Sequence, residues 1–260
     1  MNVLVDLAEP TEPTEPTGPT GPANSTGSTG STVSTNSTNS TKTAAAALGA
    51  VRRARAVASR AAAMDPAAVV RLRPVGAKSV DLFISTPLGC VVAQRIPGRL
   101  PGADAPTVAH LAGALTALGA FTGDKRLDFG PACPLLWRGG LPPEVGYVLV
   151  DTIPAEAIRT LHADMAAENS QHGGPLGIAR SLLEQKVLGV ASNEENDGNE
   201  VALEGRIVAA MGALGLVQQP TGAMSRYDFA RVSVTGSWIR VDGLYGSIYA
   251  PRPGGLARVP

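Results

Sequence analysis

Two tryptophan–arginine pairs are the residues of this chain best suited to form a binding surface. The chain has only two tryptophans, and each lies beside an arginine: Trp137 precedes Arg138, and Trp238 shares one face of a predicted strand with Arg240. A guanidinium stacks favourably on an indole face, so these four residues predict a patch that contacts a ligand or partner. The alternative is structural, with Trp238 closing the core and Arg240 paired with Asp242.

The other residue types with catalytic or metal-binding chemistry are few and widely spaced. The three histidines, His110, His162 and His172, do not have the spacing of zinc ligands. Cys90 and Cys133 are also far apart, which predicts two small buried thiols in a reducing compartment, with a disulfide as the alternative. We therefore expect no metal site and assign no catalytic residue.

Motifs that carry a known mechanism are absent from the sequence. It contains no phosphate-binding loop, no dinucleotide fingerprint, no His-Glu-x-x-His, no Cys-x-x-Cys and no Gly-x-Ser-x-Gly. We expect no cofactor, and the sequence favours a protein that is not an enzyme. An enzyme with an unfamiliar site near the two tryptophans stays open as an alternative.

Charge and hydropathy argue against a strong overall attraction to polyanions or membranes. Basic and acidic side chains number 22 each, and the pI is near 6.8, so no net field attracts nucleic acid or an anionic surface. No apolar run reaches the roughly 20 residues that cross a bilayer. The start of the chain lacks the basic residues of a signal peptide. We expect a cytoplasmic protein with no membrane contact.

The amino-acid composition changes twice within the first third of the chain. Residues 9–41 repeat in triplets of Glu-Pro-Thr, then Ser-Thr-Gly and Ser-Thr-Asn, a composition that cannot form a core. We predict a disordered tail over 1–43 and an Ala/Arg-rich helical connector over 44–65 that docks weakly. The connector's arginines also allow a basic helix for nucleic acid. The chain from Met64 onward is expected to fold without what precedes it.

Residues 66–250 are predicted to form a single α+β domain, followed by a flexible C-terminus over 251–260. Short β-branched runs separated by turns predict N-terminal antiparallel strands, and Asp242-Gly243 predicts a C-terminal β-hairpin. Apolar residues at helical spacing predict about four helices between them. These helices lie at about 104–118, from 153, 175–189 and 200–217.

Several strings resemble a family of conserved hypothetical proteins from high-GC Gram-positive bacteria. They are Val80-Asp81-Leu82-Phe83-Ile84-Ser85-Thr86-Pro87, Leu136-Trp137-Arg138-Gly139, Ser181-Leu182-Leu183-Glu184-Gln185 and Trp238-Ile239-Arg240-Val241-Asp242 with Tyr245-Gly246. The resemblance covers roughly residues 66–250. It implies one folded domain with the tail as an accessory, and it implies no activity and no site.

The interpretation that the sequence favours is a non-catalytic cytoplasmic domain that binds an unknown protein partner or self-associates. One alternative is a DNA-binding regulator, because helices at 176–189 and 201–217 followed by a hairpin have the order of a winged helix. Nucleic acid is the weaker partner class, because the would-be recognition helix carries Glu200 and Glu204 where phosphate contacts need basic residues.

Overall fold

The fold is described from a computed structural model of the chain. The description covers residues 1–7, 34–122, 126–172, 180–191 and 200–252, with the backbone alone for 34–44 and residue 172. Two sequence predictions lie outside these ranges: most of the triplet repeat and the C-terminus beyond residue 252.

The described residues form an α+β fold of twelve strands and five α-helices. The strands are β1 (Asn2–Asp6), β2 (Val69–Val75), β3 (Ser79–Ser85), β4 (Val91–Pro97), β5 (Val108–His110), β6 (Arg126–Pro131), β7 (Val148–Pro154), β8 (Lys186–Ala191), β9 (Glu200–Glu204), β10 (Phe229–Val234), β11 (Trp238–Gly243) and β12 (Gly246–Pro251). The helices are α1 (Ser34–Met64), α2 (Leu111–Ala120), α3 (Ala155–His172), α4 (Arg180–Glu184) and α5 (Gly205–Ala213). Short 3-10 helices lie at Pro134–Leu136 and Gly222–Tyr227. None of the described helices has the length and apolarity needed to cross a bilayer.

One eight-stranded antiparallel sheet organises the molecule. Its order is β5-β2-β3-β4-β12-β11-β10-β7, so four strands from each half of the chain lie side by side. The halves meet where β12 pairs with β4, from Ser247 opposite Ala93 to Tyr249 opposite Val91. Gln94 strengthens this junction, because its Nε2 donates to the Tyr245 carbonyl at 2.8 Å.

Alternation along the strands gives this sheet two different faces. The first face carries aliphatic side chains such as Leu82, Ile84 and Val241, which are buried in the main core. The second face carries aromatic and charged side chains, and its small apolar cluster is centred on Phe83 and Tyr249.

Helix α1 packs against the main core rather than serving as a loosely attached connector. Its buried residues recur at spacings of three and four: Val51, Ala54, Val57, Ala58 and Ala61. Small side chains let the helix approach its neighbours closely, and alanine also favours the helical backbone itself. The sequence expectation of weak docking is therefore wrong.

Strand β1 is also part of the folded body. It pairs with β6, and Val3 and Val5 are fully buried. Arg126 joins the pair through an ion pair with Asp6 at 2.7 Å. Packed elements therefore lie on both sides of the triplet repeat. That the chain from Met64 onward folds without them stays a prediction. The division at residues 43, 65 and 250 stays a prediction.

The predicted architecture is wrong in how it arranges its elements. It placed N-terminal strands, about four helices and a separate C-terminal hairpin after a tail, whereas both groups of strands belong to one sheet and β1 and α1 come before them. Pairing between strands distant in sequence leaves no local signal, which is why the separate arrangement was favoured.

Two predicted helices contain strands. Residues 200–217 begin with β9, in which the buried Val201 and Leu203 alternate with less buried positions, and α5 starts only at Gly205. A side chain at Gly205 would place its Cβ 2.2 Å from the Leu182 carbonyl oxygen. The predicted helix at 175–189 is α4 followed by β8 in the described part. The winged-helix order is therefore absent from the described residues, whereas a DNA-binding role as such stays a prediction.

The helix predicted over 104–118 begins later than expected. Residues 108–110 form β5, which pairs with β2 so that His110 lies opposite Val69. His110 is therefore at a strand end and not on a helix. The apolar residues from Val108 to Leu118 are spaced as in one helix, because β5 runs directly into α2 and the change of element falls between two of them.

Candidate functional site

A long connection crosses the second face of the large sheet from edge to edge. We call residues 132–147 the strap. At one edge, Ala132 forms a bridge with Ala109 and Cys133 N–H donates to the Val108 carbonyl at 2.9 Å. At the other edge the strap leads into β7, which pairs with β10. The strap therefore overlies strands from both halves of the chain.

The strap is fastened to the sheet by apolar and polar contacts. Trp137, Leu141 and Tyr147 pack against the cluster that contains Phe83 and Tyr249. These contacts bury large rings on a face that would otherwise be exposed to water.

Arg73 supplies a polar attachment for the strap. Its Nη1 donates to the Pro142 carbonyl at 2.5 Å, and its guanidinium lies 4.5 Å from the centre of the Phe83 ring. Asp81, which is 4% exposed, accepts two hydrogen bonds from Arg95 at 2.7 and 2.9 Å and lies 3.6 Å from Arg73. The hydrogen bond to Asp81 raises the pKa of Arg95. The two arginines thus balance the negative charge of the buried Asp81 carboxylate.

Arg240 lies beneath the strap. Its Nε donates to Asp242 at 2.8 Å, and its guanidinium is 5.6 Å from the ring centres of both Tyr147 and Tyr249. Burial raises the pKa of Tyr147, so the phenol beside Arg240 stays protonated. Arg240 is therefore held by Asp242 and the two tyrosine rings, and it does not line the groove between the strap and the strand ends.

An open groove of about 900 Å³ runs along one end of the large sheet. Six neighbouring strands contribute one lining residue each: His110, Val69, Ser85, Val91, Pro251 and Trp238. The pairing register aligns His110 with Val69, Ser85 with Val91 and Trp238 with Pro251. Where the two halves of the sheet meet, Pro251 lies two residues beyond Tyr249, the partner of Val91. The opposite wall is the strap from Leu136 to Gly140, so both tryptophans of the chain line the groove.

The groove contains a cysteine, a histidine and an aspartate, but they do not form a nucleophilic site. Cys90 is 1% exposed, and burial raises the pKa of its thiol to about 12. A cysteine acts as a nucleophile in its thiolate form, which this environment disfavours near neutral pH. Asp65 accepts a hydrogen bond from its own neighbour, the Ala67 N–H, at 2.9 Å.

The described part of the chain has no cluster of metal-binding side chains. No three His, Cys, Asp or Glu side chains within it lie close enough together to hold an ion. His162 is on α3, where its ring lies against Gly212, and burial lowers its pKa. Cys133 is half-buried, and both cysteines are free thiols.

Of the four residues proposed from the sequence, the structure brings three together. Trp137, Arg138 and Trp238 line the groove, whereas Arg240 does not. Leu136, Gly139 and the strand-end residues were missed, because only the crossing of the strap over the sheet brings them together. The one local signal for the strap was its run of glycines and prolines, which reads equally well as an ordinary loop.

Part of the chain matches a known family model. Residues 142–255 match a domain of unknown function, DUF8185. A comparison with curated proteins gave no match. The resemblance to an uncharacterised family is thus supported for the second half of the chain, which contains the strings at Ser181 and Trp238. The origin of that family in high-GC Gram-positive bacteria stays a prediction.

Solved structures of bacterial sliding clamps are similar to this fold. The beta subunit from the DNA polymerase of Streptococcus pyogenes is 9% identical with a TM-score of 0.44, over 77% of this chain and 62% of that one. The clamp from Pseudomonas aeruginosa is 10% identical with a TM-score of 0.45, over 78% and 63%. The clamp from Caulobacter crescentus is 10% identical with a TM-score of 0.45, over 80% and 67%. This chain thus spans less than two thirds of the first two structures, and similarity at this level carries no argument about function.

Proposed function

We propose that this protein is a non-catalytic binding domain that holds an extended segment of another protein in the groove between the strap and the strand ends. The observation that supports it most is that both tryptophans, which are rare in this chain and only half-buried, line one open groove. Aromatic side chains are enriched where proteins recognise partners.

The shape of the groove favours an extended polypeptide over a compact small molecule. Neighbouring strands lie about 4.8 Å apart, so a row across six strands is roughly 24 Å long. An extended chain advances about 3.3 Å per residue, so the groove accommodates about seven residues. A drug-sized ligand is usually enclosed on most sides by its pocket, whereas this groove is open along its length.

The chemistry of the lining favours binding over catalysis. The buried, protonated thiol of Cys90 is not a nucleophile, and Ser85 already accepts a hydrogen bond from the Val69 N–H at 3.0 Å. Thr86 Oγ1 donates to the Cys90 carbonyl at 2.7 Å. These polar groups hold the strand ends together instead of presenting a reactive pair.

The test is a selection of random seven-residue peptides displayed on phage against the full-length protein. Selected peptides are then synthesised and titrated while tryptophan fluorescence is recorded. Because both tryptophans line the groove, we expect a saturable change in emission and protection from acrylamide quenching. Selected peptides that bind without changing tryptophan emission would contradict the proposed site.

Leu135 and Leu136 provide a matched pair of variants. Leu136 lines the groove and is 47% exposed, while Leu135 is 93% exposed on the same short helix and does not line it. A ligand that covers the remaining half of Leu136 gains about 1 kcal/mol, so Leu136→Asn should weaken binding about fivefold. Leu135→Asn should leave the affinity unchanged, and equal effects of the two substitutions would argue against the groove.

Self-association is a second candidate, favoured by the exposed edge of the sheet. In the described residues, β7 pairs only with β10, and its Val148 and Leu149 are 51% and 47% exposed. An edge strand with exposed apolar residues can pair with another chain. Sedimentation of the wild type and Leu149→Lys tests this: a dimer that the substitution dissociates supports it, and a monomeric wild type at high concentration rejects it.

We retain the cytoplasm as the proposed location and a protein as the proposed partner class. Balanced charge supports the choice of a protein over nucleic acid. Salt-dependent retention on nonspecific DNA would argue against that choice.

A further inference from the structure

Resting on the proposed function, we infer how the bound segment is recognised: it pairs its backbone with the strap at Arg138–Gly140 and places an acidic side chain against Arg138. The bound segment is thus extended, lies along the strap and carries a negative charge. The strap is then the recognition element, and the strand ends form the apolar wall opposite it.

The strap offers unused backbone hydrogen-bonding groups beside the groove. Within the described residues, no backbone hydrogen bond involves Arg138, Gly139 or Gly140. All three residues are exposed and line the groove. Unpaired N–H and C=O groups next to an apolar wall suit the addition of an extended chain, in which backbone bonds give affinity and side-chain pockets give selectivity.

The two glycines leave this backbone accessible. Neither Gly139 nor Gly140 has any atom within 4 Å of the position that a Cβ would occupy. Gly139 has a φ of +89°, a conformation that glycine adopts without the cost that other residues incur. A partner backbone can therefore approach the strap here without meeting side chains.

Arg138 supplies the charge preference. Three arginines of the second face are already paired: Arg73 and Arg95 with Asp81, and Arg240 with Asp242. Arg138 is exposed and forms no ion pair among the described residues, while the Asp65 carboxylate of the same groove already accepts the Ala67 N–H. A carboxylate on the bound segment complements the unpaired guanidinium with directional hydrogen bonds.

The first experiment repeats the peptide selection with charge variants of the full-length protein. The wild type should enrich peptides in which Asp or Glu lies beside a large apolar residue. Arg138→Glu should bind those peptides at least about fivefold more weakly and should select Lys or Arg at the same position. Arg53→Glu changes another exposed arginine, on α1 and outside the groove, and should behave like the wild type.

The second experiment tests backbone pairing with N-methylated versions of one selected peptide. Successive backbone groups of an extended segment point to opposite sides, so methylation at alternate residues should weaken binding about tenfold or more while the intervening positions tolerate it. A uniform response along the peptide would overturn the pairing.

These outcomes separate the inference from the function on which it rests. If the wild type enriches no peptide, the proposed function fails. If peptides bind in the groove but carry no acidic residue, and Arg138→Glu selects the same sequences, only the charge preference fails. Both an alternating methylation pattern and a reversed charge preference are required to support the inference in full.

Discussion

Replacing Val57 by alanine tests whether α1 is part of the folding unit or an appendage. Val57 is on α1, is 2% exposed and belongs to the main core. The substitution removes two methyl groups from a packed site and introduces no new polar group. If α1 were weakly docked, as its composition suggested, the change would cost nothing.

The magnitude follows from what the side chain loses. Two buried carbons contribute about 1.6 kcal/mol of transfer free energy, and the cavity left behind adds about 1 kcal/mol. Alanine is the better helix former by about 0.5 kcal/mol, which offsets part of the loss. We expect the free energy of unfolding to fall by about 2 kcal/mol, which lowers Tm by about 4–8 °C in a domain of this size.

Urea unfolding of the full-length protein, followed by tryptophan fluorescence and circular dichroism, measures this change. Arg53→Ala, on the exposed side of the same helix, is the matched control and should shift the midpoint by less than about 0.5 kcal/mol. Val57→Ala unfolding at the wild-type midpoint by both probes would refute the assignment of α1 to the core.

Three further predictions concern the described residues. Gly212→Ala would place a Cβ 2.2 Å from the His162 ring and should cost about 2 kcal/mol in urea unfolding, with less cost in a His162→Ala background. The hydrogen bond from Arg159 lowers the pKa of Asp228. The ion pair therefore stabilises the fold above the unfolded-state pKa of about 4, and this stabilisation is lost as pH falls through the folded-state pKa. Asp228→Asn should lower the free energy of unfolding by about 0.5 kcal/mol at pH 7, and its urea midpoint should change less with pH below about pH 4. The Cys90 thiol, with a pKa of about 12, should resist a thiol reagent at pH 8 in the native protein and react fully in urea, and rapid labelling in the native state would contradict its burial.

Local patterns predicted the strands well where alternation and β-branching agree. Residues 79–85 and the run after Cys90 form β3 and β4, which pair along their length. The local patterns failed where the apolar residues of a strand and of the helix after it are spaced as in one continuous helix, as from Leu203 to Met211. Alternation favours a strand at Val201 and Leu203, but only pairing with β8 decides between the two interpretations.

The site was predictable only as a set of rare residues. The two tryptophans stood out by scarcity, and both line the groove. Arg240 was grouped with them because it shares a strand face with Trp238, yet the Tyr147 and Tyr249 rings and Asp242 hold it under the strap. The groove itself depends on a connection that crosses eight strands, and that path leaves no signature in a single sequence.

The junction between β4 and β12 has a consequence for how the chain is made. The hydrogen bond from Gln94 to Tyr245 spans 151 residues, so the sheet can close only after residue 245 has left the ribosome. Until then β4 is an open edge whose backbone groups can pair with another nascent chain. Such distant pairing slows folding, because the entropy of closing a long loop is lost before the contact forms. We therefore expect the yield of native protein to depend on chaperone availability during synthesis more than its final stability would suggest.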